Sequence, residues 1–177
     1  MKFLNNYVFQ VFVAECVSSQ KLVFVHFVDV AENTSAFEEK LEEIQELMPN
    51  VDFIKGTPSQ LELVQNAINN LDSTVDFRFL FISENNIEPD LMNRVYDAIR
   101  KIPKGETRTY DEIAIELGDV SYRSNVRLIC LLNNIAYLIP CHRVLSNLRT
   151  VSGYHWGSDK KRQLLRAEGV ELPHSVM

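Results

Sequence analysis

Ile139-Pro140-Cys141-His142-Arg143-Val144 sets a thiol, an imidazole and a guanidinium on consecutive residues, directly behind a proline. A thiolate is the nucleophile, not a thiol, and neighbouring positive charge or an imidazole partner favours it. Pro140 fixes its own φ and restricts Ile139 to extended backbone, so a rigid turn presents Cys141. The apolar run Ile135-Ala136-Tyr137-Leu138-Ile139 ahead of it predicts a buried strand or extended segment carrying that turn. A Cys-His pair alone equally fits a small buried side chain, and neighbours along a strand face opposite ways. The surrounding residues must decide between these.

Upstream, the pattern is helical. Leu91 to Lys101 predicts a helix with Leu91, Val95, Ala98 and Ile102 on its inner face, Pro89 in its first turn and Pro103 as its stop. After the Lys104-Gly105 turn, Thr109 caps a second helix with Glu112 in capping-box position and Ile113, Ala114 and Leu117 turned inward. Gly118 supplies a left-handed cap, Asp119-Val120-Ser121 a turn, and a third helix is expected from about Tyr122 to Leu132. Two short helices joined by such a turn fit a helix-turn-helix, a pattern shared with ordinary αα-hairpins.

The first half reads differently. Strands are expected at Tyr7–Val13 and Leu22–Val28, with Ser18-Ser19-Gln20 as a hairpin turn. A helix capped by Ser35 and Glu38 carries Phe37, Leu41, Ile44 and Met48 on one face, and a second from Thr57 carries Leu61, Val64, Ile68 and Leu71. Short strands are expected at Val51–Ile54 and Asp76–Ile82, and a linker at Ser83–Pro89. The expected organisation is an α/β N-terminal domain over residues 1–85, with a small mostly antiparallel sheet and helices. A mainly α domain over 86–177 then holds the helix-turn-helix and Cys141.

The chain has 177 residues and a net charge of −6, but the charge is divided. Residues 1–90 carry five Lys or Arg against fifteen Asp or Glu, a net −10, whereas 91–177 carry thirteen against nine, a net +4. Such asymmetry points to a polyanion partner for the second half. Cys16, Cys130 and Cys141 are an odd set without framework spacing, which predicts free thiols in a reducing, cytoplasmic compartment. Met1 to Asn6 turns polar too early for a signal peptide, and no apolar run is long enough to span a bilayer. Cys16 with His26 offers too few ligands for zinc, so neither metal nor cofactor is expected.

Four stretches share one resemblance. The segment Val95 to Ala114 resembles the lead into the DNA-binding helices of O6-alkylguanine-DNA alkyltransferases, and Ile139–Val144 resembles their active-site hexapeptide. Ser152-Gly153-Tyr154-His155-Trp156-Gly157 resembles their substrate-pocket loop, and Lys161 to Gly169 their closing helix. Order and spacing agree over residues 94–169; the first half is similar only in its order of elements.

The resemblance implies a suicide repair protein, expected as a monomer. It would bind double-stranded DNA, flip out a guanine alkylated at O6 (with O4-methylthymine a further candidate) and move the alkyl group irreversibly to Cys141. It further implies that His142 is the base and Glu168 orients it, that Tyr110 protonates the leaving guanine with Lys161 nearby, and that Asn133 ties the helices to the active-site turn. Arg143 is placed as a brace for that turn. Tyr110, Arg123, Ser124, Arg127, Arg143, Ser152, Tyr154, His155 and Trp156 are the implied DNA and substrate contacts, with bulky Trp156 narrowing the pocket.

The third helix departs from the family. Ser124 stands where base-flipping members carry an arginine, with Arg123 beside it, and Arg127 stands where a small residue is usual. Two other readings therefore stand beside repair: a helix-turn-helix damage sensor or regulator with weak or no transfer, and a Cys-His hydrolase unrelated to DNA.

Overall fold

The computed structural model describes residues 9–16, 21–29, 42, 46, 87–133, 138–151 and 153–172. In the first half, β1 (Phe9–Cys16) and β2 (Lys21–Asp29) pair antiparallel from Phe9↔Asp29 to Cys16↔Lys21, with an irregularity between Ala14 and Glu15. Glu42 and Glu46 are helical and exposed. The remainder of the helices expected from Ser35 and Thr57, and the strands expected at 51–54 and 76–82, lie outside the described residues.

The second half is built on helices. α1 (Pro89–Arg100) begins at a proline, whose missing N–H would have lacked an intrahelical partner in any case. Its inward face carries Met92, Val95, Tyr96, Ala98 and Ile99; Leu91, expected inside, is only half-buried. Each fully buried aliphatic side chain contributes about 1.5–3 kcal/mol of transfer free energy. Tyr96 Oη donates to the Ile129 carbonyl at 3.2 Å, which pins α1 to a later helix.

α2 (Tyr110–Glu116) starts on a complete capping box. Glu112 N–H donates to Thr109 Oγ1 at 3.2 Å, and Thr109 N–H donates to Glu112 Oε2 at 2.6 Å. Gly118 closes the helix at φ +101°, a left-handed conformation that costs glycine nothing. Asp119 then accepts from Ser121 N–H at 2.8 Å, and a 3₁₀ turn at Val120–Tyr122 leads into α3 (Arg123–Leu131). The third helix is thus one residue shorter at each end than expected. It buries Val126, Ile129 and Cys130.

The turn expected at Cys141 is present: Cys141–Arg143 is a single 3₁₀ turn, closed by Arg143 N–H to the Pro140 carbonyl at 2.8 Å, while residues 135–137 of the apolar run ahead of it lie outside the described residues. Pro140 sits at φ −78° and ψ 57°, which bends the chain out of the extended path before the thiol. Besides its helices, the mainly α second half holds a short sheet. β3 (Arg108–Thr109) and β4 (Val144–Leu145) form a parallel pair, Arg108↔Val144 and Thr109↔Leu145. The pair joins the cap of α2 to the backbone directly after the Cys-His-Arg turn. α4 (Ser158–Ala167) closes the half and buries Lys161, Leu164 and Leu165.

Candidate active site

Cys141 is 1% exposed, and its sulfur has a defined polar neighbour. Asn133, fully buried just beyond α3, donates from Nδ2 to the Ile139 carbonyl at 3.1 Å and to Cys141 Sγ at 3.2 Å. One amide therefore locks the turn and offers a hydrogen-bond donor to a developing thiolate. Burial pushes the Cys141 thiol well up, the nearby Cys130 thiol adds to this, and Asn133 with the Lys161 charge pulls the other way. At rest the sulfur is a thiol, so a base must take its proton at the moment of reaction.

His142 is that candidate base. Its ring is fully buried, with Nε2 3.0 Å from Glu168 Oε1. Burial lowers the His142 pKa despite the opposing pull of Glu168, so the ring rests neutral. A neutral ring donating from Nε2 to a carboxylate leaves its basic lone pair on Nδ1.

Glu168 is buried at the end of α4. Burial alone would raise its pKa. Hydrogen bonds from His142 and Arg143 outweigh burial and hold it down at about 2. Because His142 is neutral, the compensating charge is Arg143, whose Nε and Nη2 grip Oε2 and Oε1 at 2.9 and 2.8 Å. Its Nη1 donates to the Ile102 carbonyl at 2.6 Å. Expected among the DNA and substrate contacts, Arg143 is instead buried and faces inward, its fork spent on Glu168 and Ile102.

Lys161 is fully buried, contrary to the usual fate of a lysine in a charged run. Its Nζ donates to the Val144 carbonyl at 2.5 Å and lies 5.9 Å from the Tyr154 ring centroid. Burial lowers its pKa to about 8, opposed by the two nearby cysteines.

Tyr110 and Tyr154 are buried, and their hydroxyls have no hydrogen-bond partner among the described residues. An added Cβ on Gly153, at φ +63°, would lie 3.3 Å from Tyr110 Oη, so a side chain there would crowd the phenol. Tyr154 packs edge-on to His142 at 6.4 Å and to Trp156 at 5.1 Å. Trp156 is half-buried, and His155 is exposed with Nδ1 donating to the Leu131 carbonyl at 2.8 Å. Ser152 lies outside the described residues.

The α3 residues divide. Ser124 and Arg127 are exposed, and Arg127 Nε would lie 4.0 Å from a Cβ on Gly153, beside the Tyr110 hydroxyl. Arg123 is turned to α2, its Nε 3.0 Å from Asp111 Oδ1. Asp111 also accepts a hydrogen bond from Asn147. The sequence reading missed Asp111, and it missed Cys130 beside the reactive sulfur. Cys130 precedes Asn133 by three residues, a spacing that places both on one side of a helix. Among the described residues, no three His, Cys, Asp or Glu gather to hold a metal, and no helix is long and apolar enough to cross a membrane.

A buried thiol bonded to Asn133 thus stands next in sequence to a buried imidazole–carboxylate pair, His142 and Glu168, behind a pair of short helices. Residues 90–170, a little under half of the chain, match the family described as 6-O-methylguanine DNA methyltransferase, DNA binding domain. The bifunctional transcriptional activator/DNA repair enzyme Ada of Escherichia coli is 44% identical over 75 residues, 42% of this chain and 21% of Ada. A methylated-DNA–protein-cysteine methyltransferase of Candida albicans is 42% identical over 82 residues, 46% of each chain. The chain spans less than half the length of these two curated relatives. Mycobacterium tuberculosis OGT, solved in complex with DNA, is 27% identical with a TM-score of 0.61, covering 89% of this chain and 85% of that one.

Proposed function

We propose that this protein repairs DNA by stoichiometric, irreversible transfer of an alkyl group from O6-alkylguanine to Cys141. The observation that carries the reading is a pair of buried networks on adjacent residues, Asn133–Cys141 and His142–Glu168–Arg143. Such a pair generates a thiolate on demand, and a thiolate is what displacement at an O-alkyl carbon requires.

The Cys141 proton passes through a bound water to His142, whose charge Glu168 then balances. Sγ forms a bond to the alkyl carbon as the carbon–O6 bond breaks. The electron pair leaves with guanine, which takes a proton from Tyr110. The product thioether is not a leaving group, so the protein is spent after one event. Tyr110, Tyr154, His155, Trp156 and Ser152 form the base pocket in this reading, with Ser124 and Arg127 facing duplex DNA.

The same reading places the protein in the cytoplasm as a monomer, with a division near residues 85/86 between an α/β N-terminal domain and the alkyltransferase domain. Incubation with duplex DNA carrying O6-methylguanine, followed by peptide mass spectrometry, tests it. One added methyl on the Cys141 peptide is expected, and Cys141→Ala should abolish transfer while DNA binding persists. An unmodified peptide with intact DNA affinity would instead favour a damage sensor, and turnover of a thioester without DNA affinity a hydrolase.

A further inference from the structure

His155 lies outside the transfer chemistry, yet it fastens the loop that carries Tyr154 and Trp156. A helix leaves its last carbonyls without partners along its own backbone. At the end of α3 two of them are met from elsewhere: Tyr96 Oη donates to the Ile129 carbonyl at 3.2 Å, and His155 Nδ1 donates to the Leu131 carbonyl at 2.8 Å. Two residues beyond Leu131, Asn133 Nδ2 reaches Cys141 Sγ at 3.2 Å. One helix end therefore anchors both the acceptor sulfur and the loop. The loop turns at Gly153 and Gly157, left-handed at φ +63° and +86°, and Gly157 N–H closes on the Tyr154 carbonyl at 3.0 Å. An added Cβ on Gly153 would lie 3.3 Å from Tyr110 Oη and 4.0 Å from Leu131 Cδ2, so the loop meets α3 there a second time. Rings continue the link inward: His155 to Trp156 at 4.8 Å, Trp156 to Tyr154 at 5.1 Å and Tyr154 to His142 at 6.4 Å, each edge-on.

We propose that His155 is a positioning residue: its hydrogen bond to the Leu131 carbonyl clasps residues 153–157 to the end of α3, and the clasp sets the size of alkyl group that reaches Cys141. This deepens the repair reading and rests on it. The imidazole is exposed and its Nδ1 donor is spent on the helix end, so His155 acts through the loop and not on the base. Tyr154 is buried on the clasped loop beside His142, whereas Tyr110 stands on α2. Movement of the loop therefore shifts one wall of the proposed pocket and leaves the other in place. A methyl group needs no such movement; a benzyl group does. A hydrogen bond of this kind favours the closed loop by about fivefold, and an adduct that needs the loop open is slowed by the same factor.

Trp156 is the chain's only tryptophan and follows His155 directly, so its fluorescence reports on the loop without any DNA. Acrylamide quenching, followed by fluorescence lifetime, is measured on the full chain as wild type, His155→Phe and His155→Asn. Phenylalanine keeps an aromatic ring beside Trp156 and loses the donor. Asparagine loses the ring and keeps an N–H donor the same number of bonds from the backbone as Nδ1. The expected result is a larger quenching constant in His155→Phe and a value near wild type in His155→Asn. In single-turnover assays on O6-methylguanine and O6-benzylguanine duplexes, the methyl-to-benzyl rate ratio should fall about fivefold in His155→Phe and return toward wild type in His155→Asn.

Equal quenching in all three proteins would overturn the clasp. So would an equal rise in both variants, which would assign the hold to the ring and not to the donor. Quenching that moves while the rate ratio stays fixed would overturn its control of adduct size. Donor-dependent quenching in a protein that transfers no methyl to Cys141 would sink the repair reading and leave the clasp standing. His155 is exposed, so neither substitution opens the core.

Discussion

A carboxylate whose side chain is 1% exposed persists at Glu168 because three donors meet it: His142 Nε2, Arg143 Nε and Arg143 Nη2. Its folded pKa falls from 4.5 to about 2, so its contribution to stability is complete above pH 4.5 and lost as the pH drops through 2. The difference corresponds to about 3 kcal/mol. Urea titrations between pH 5 and pH 2 should show this acid limb in the wild type. Glu168→Gln should flatten it while lowering stability at pH 7, and an unchanged limb in the variant would remove Glu168 from the account. Trp156 packs edge-on to Tyr154 and His155 at 5.1 and 4.8 Å, which would narrow the proposed base pocket. Single-turnover transfer should accordingly be at least about tenfold faster from O6-methylguanine than from O6-benzylguanine duplexes, and equal rates would show that the indole does not narrow the pocket. The six residues around Cys141 were readable as a reactive turn because proline, thiol and imidazole are adjacent. The burial of Glu168 and Lys161 was not readable from their neighbours, since acids and lysines in a charged helix ordinarily face water. Only the four-part resemblance singled them out.

α2 shows what local sequence can carry. Thr109, Glu112 and Gly118 act within one or two turns, and each does in the structure what its spacing suggests. Thr109→Ala removes the acceptor for Glu112 N–H and should cost about 1 kcal/mol in a denaturant titration, with the m-value unchanged. Because β3 runs directly into this cap, the same change should also slow alkyl transfer, whereas a stability loss without any rate change would mean that the cap and the Cys141 turn are independent. The β3–β4 pair was illegible for a physical reason. Two-residue strands have no periodicity, and their partners are far apart in sequence, Thr109 against Leu145. The turn at Cys141 was readable from Pro140, but its 3₁₀ form was not, because residue types alone do not give the ψ of 57° at Pro140.

Across the whole molecule, the acidic first half and basic second half anticipated a polyanion, and the exposed guanidinium of Arg127 is where the proposed duplex would meet α3. Arg127→Ala should weaken binding to any duplex and make the logarithmic dependence of affinity on salt shallower by about one. Fluorescence anisotropy across a salt series measures both, and an unaltered slope would mean that this guanidinium touches no phosphate. Arg123 is the weaker candidate for that duty, since Asp111 already holds it. The parallel pair, with Lys161 bonded to the Val144 carbonyl behind it, fuses the start of the α2–α3 unit to the turn that bears the sulfur. Among the described residues, these contacts tie the part that would grip DNA to the part that would react with it. In the proposed reading the sulfur would be held in place and the nucleotide would travel to it. A lesion held rigidly in its stack would then be out of reach however tightly the duplex is bound, and the mobility of the DNA would set the pace of the encounter.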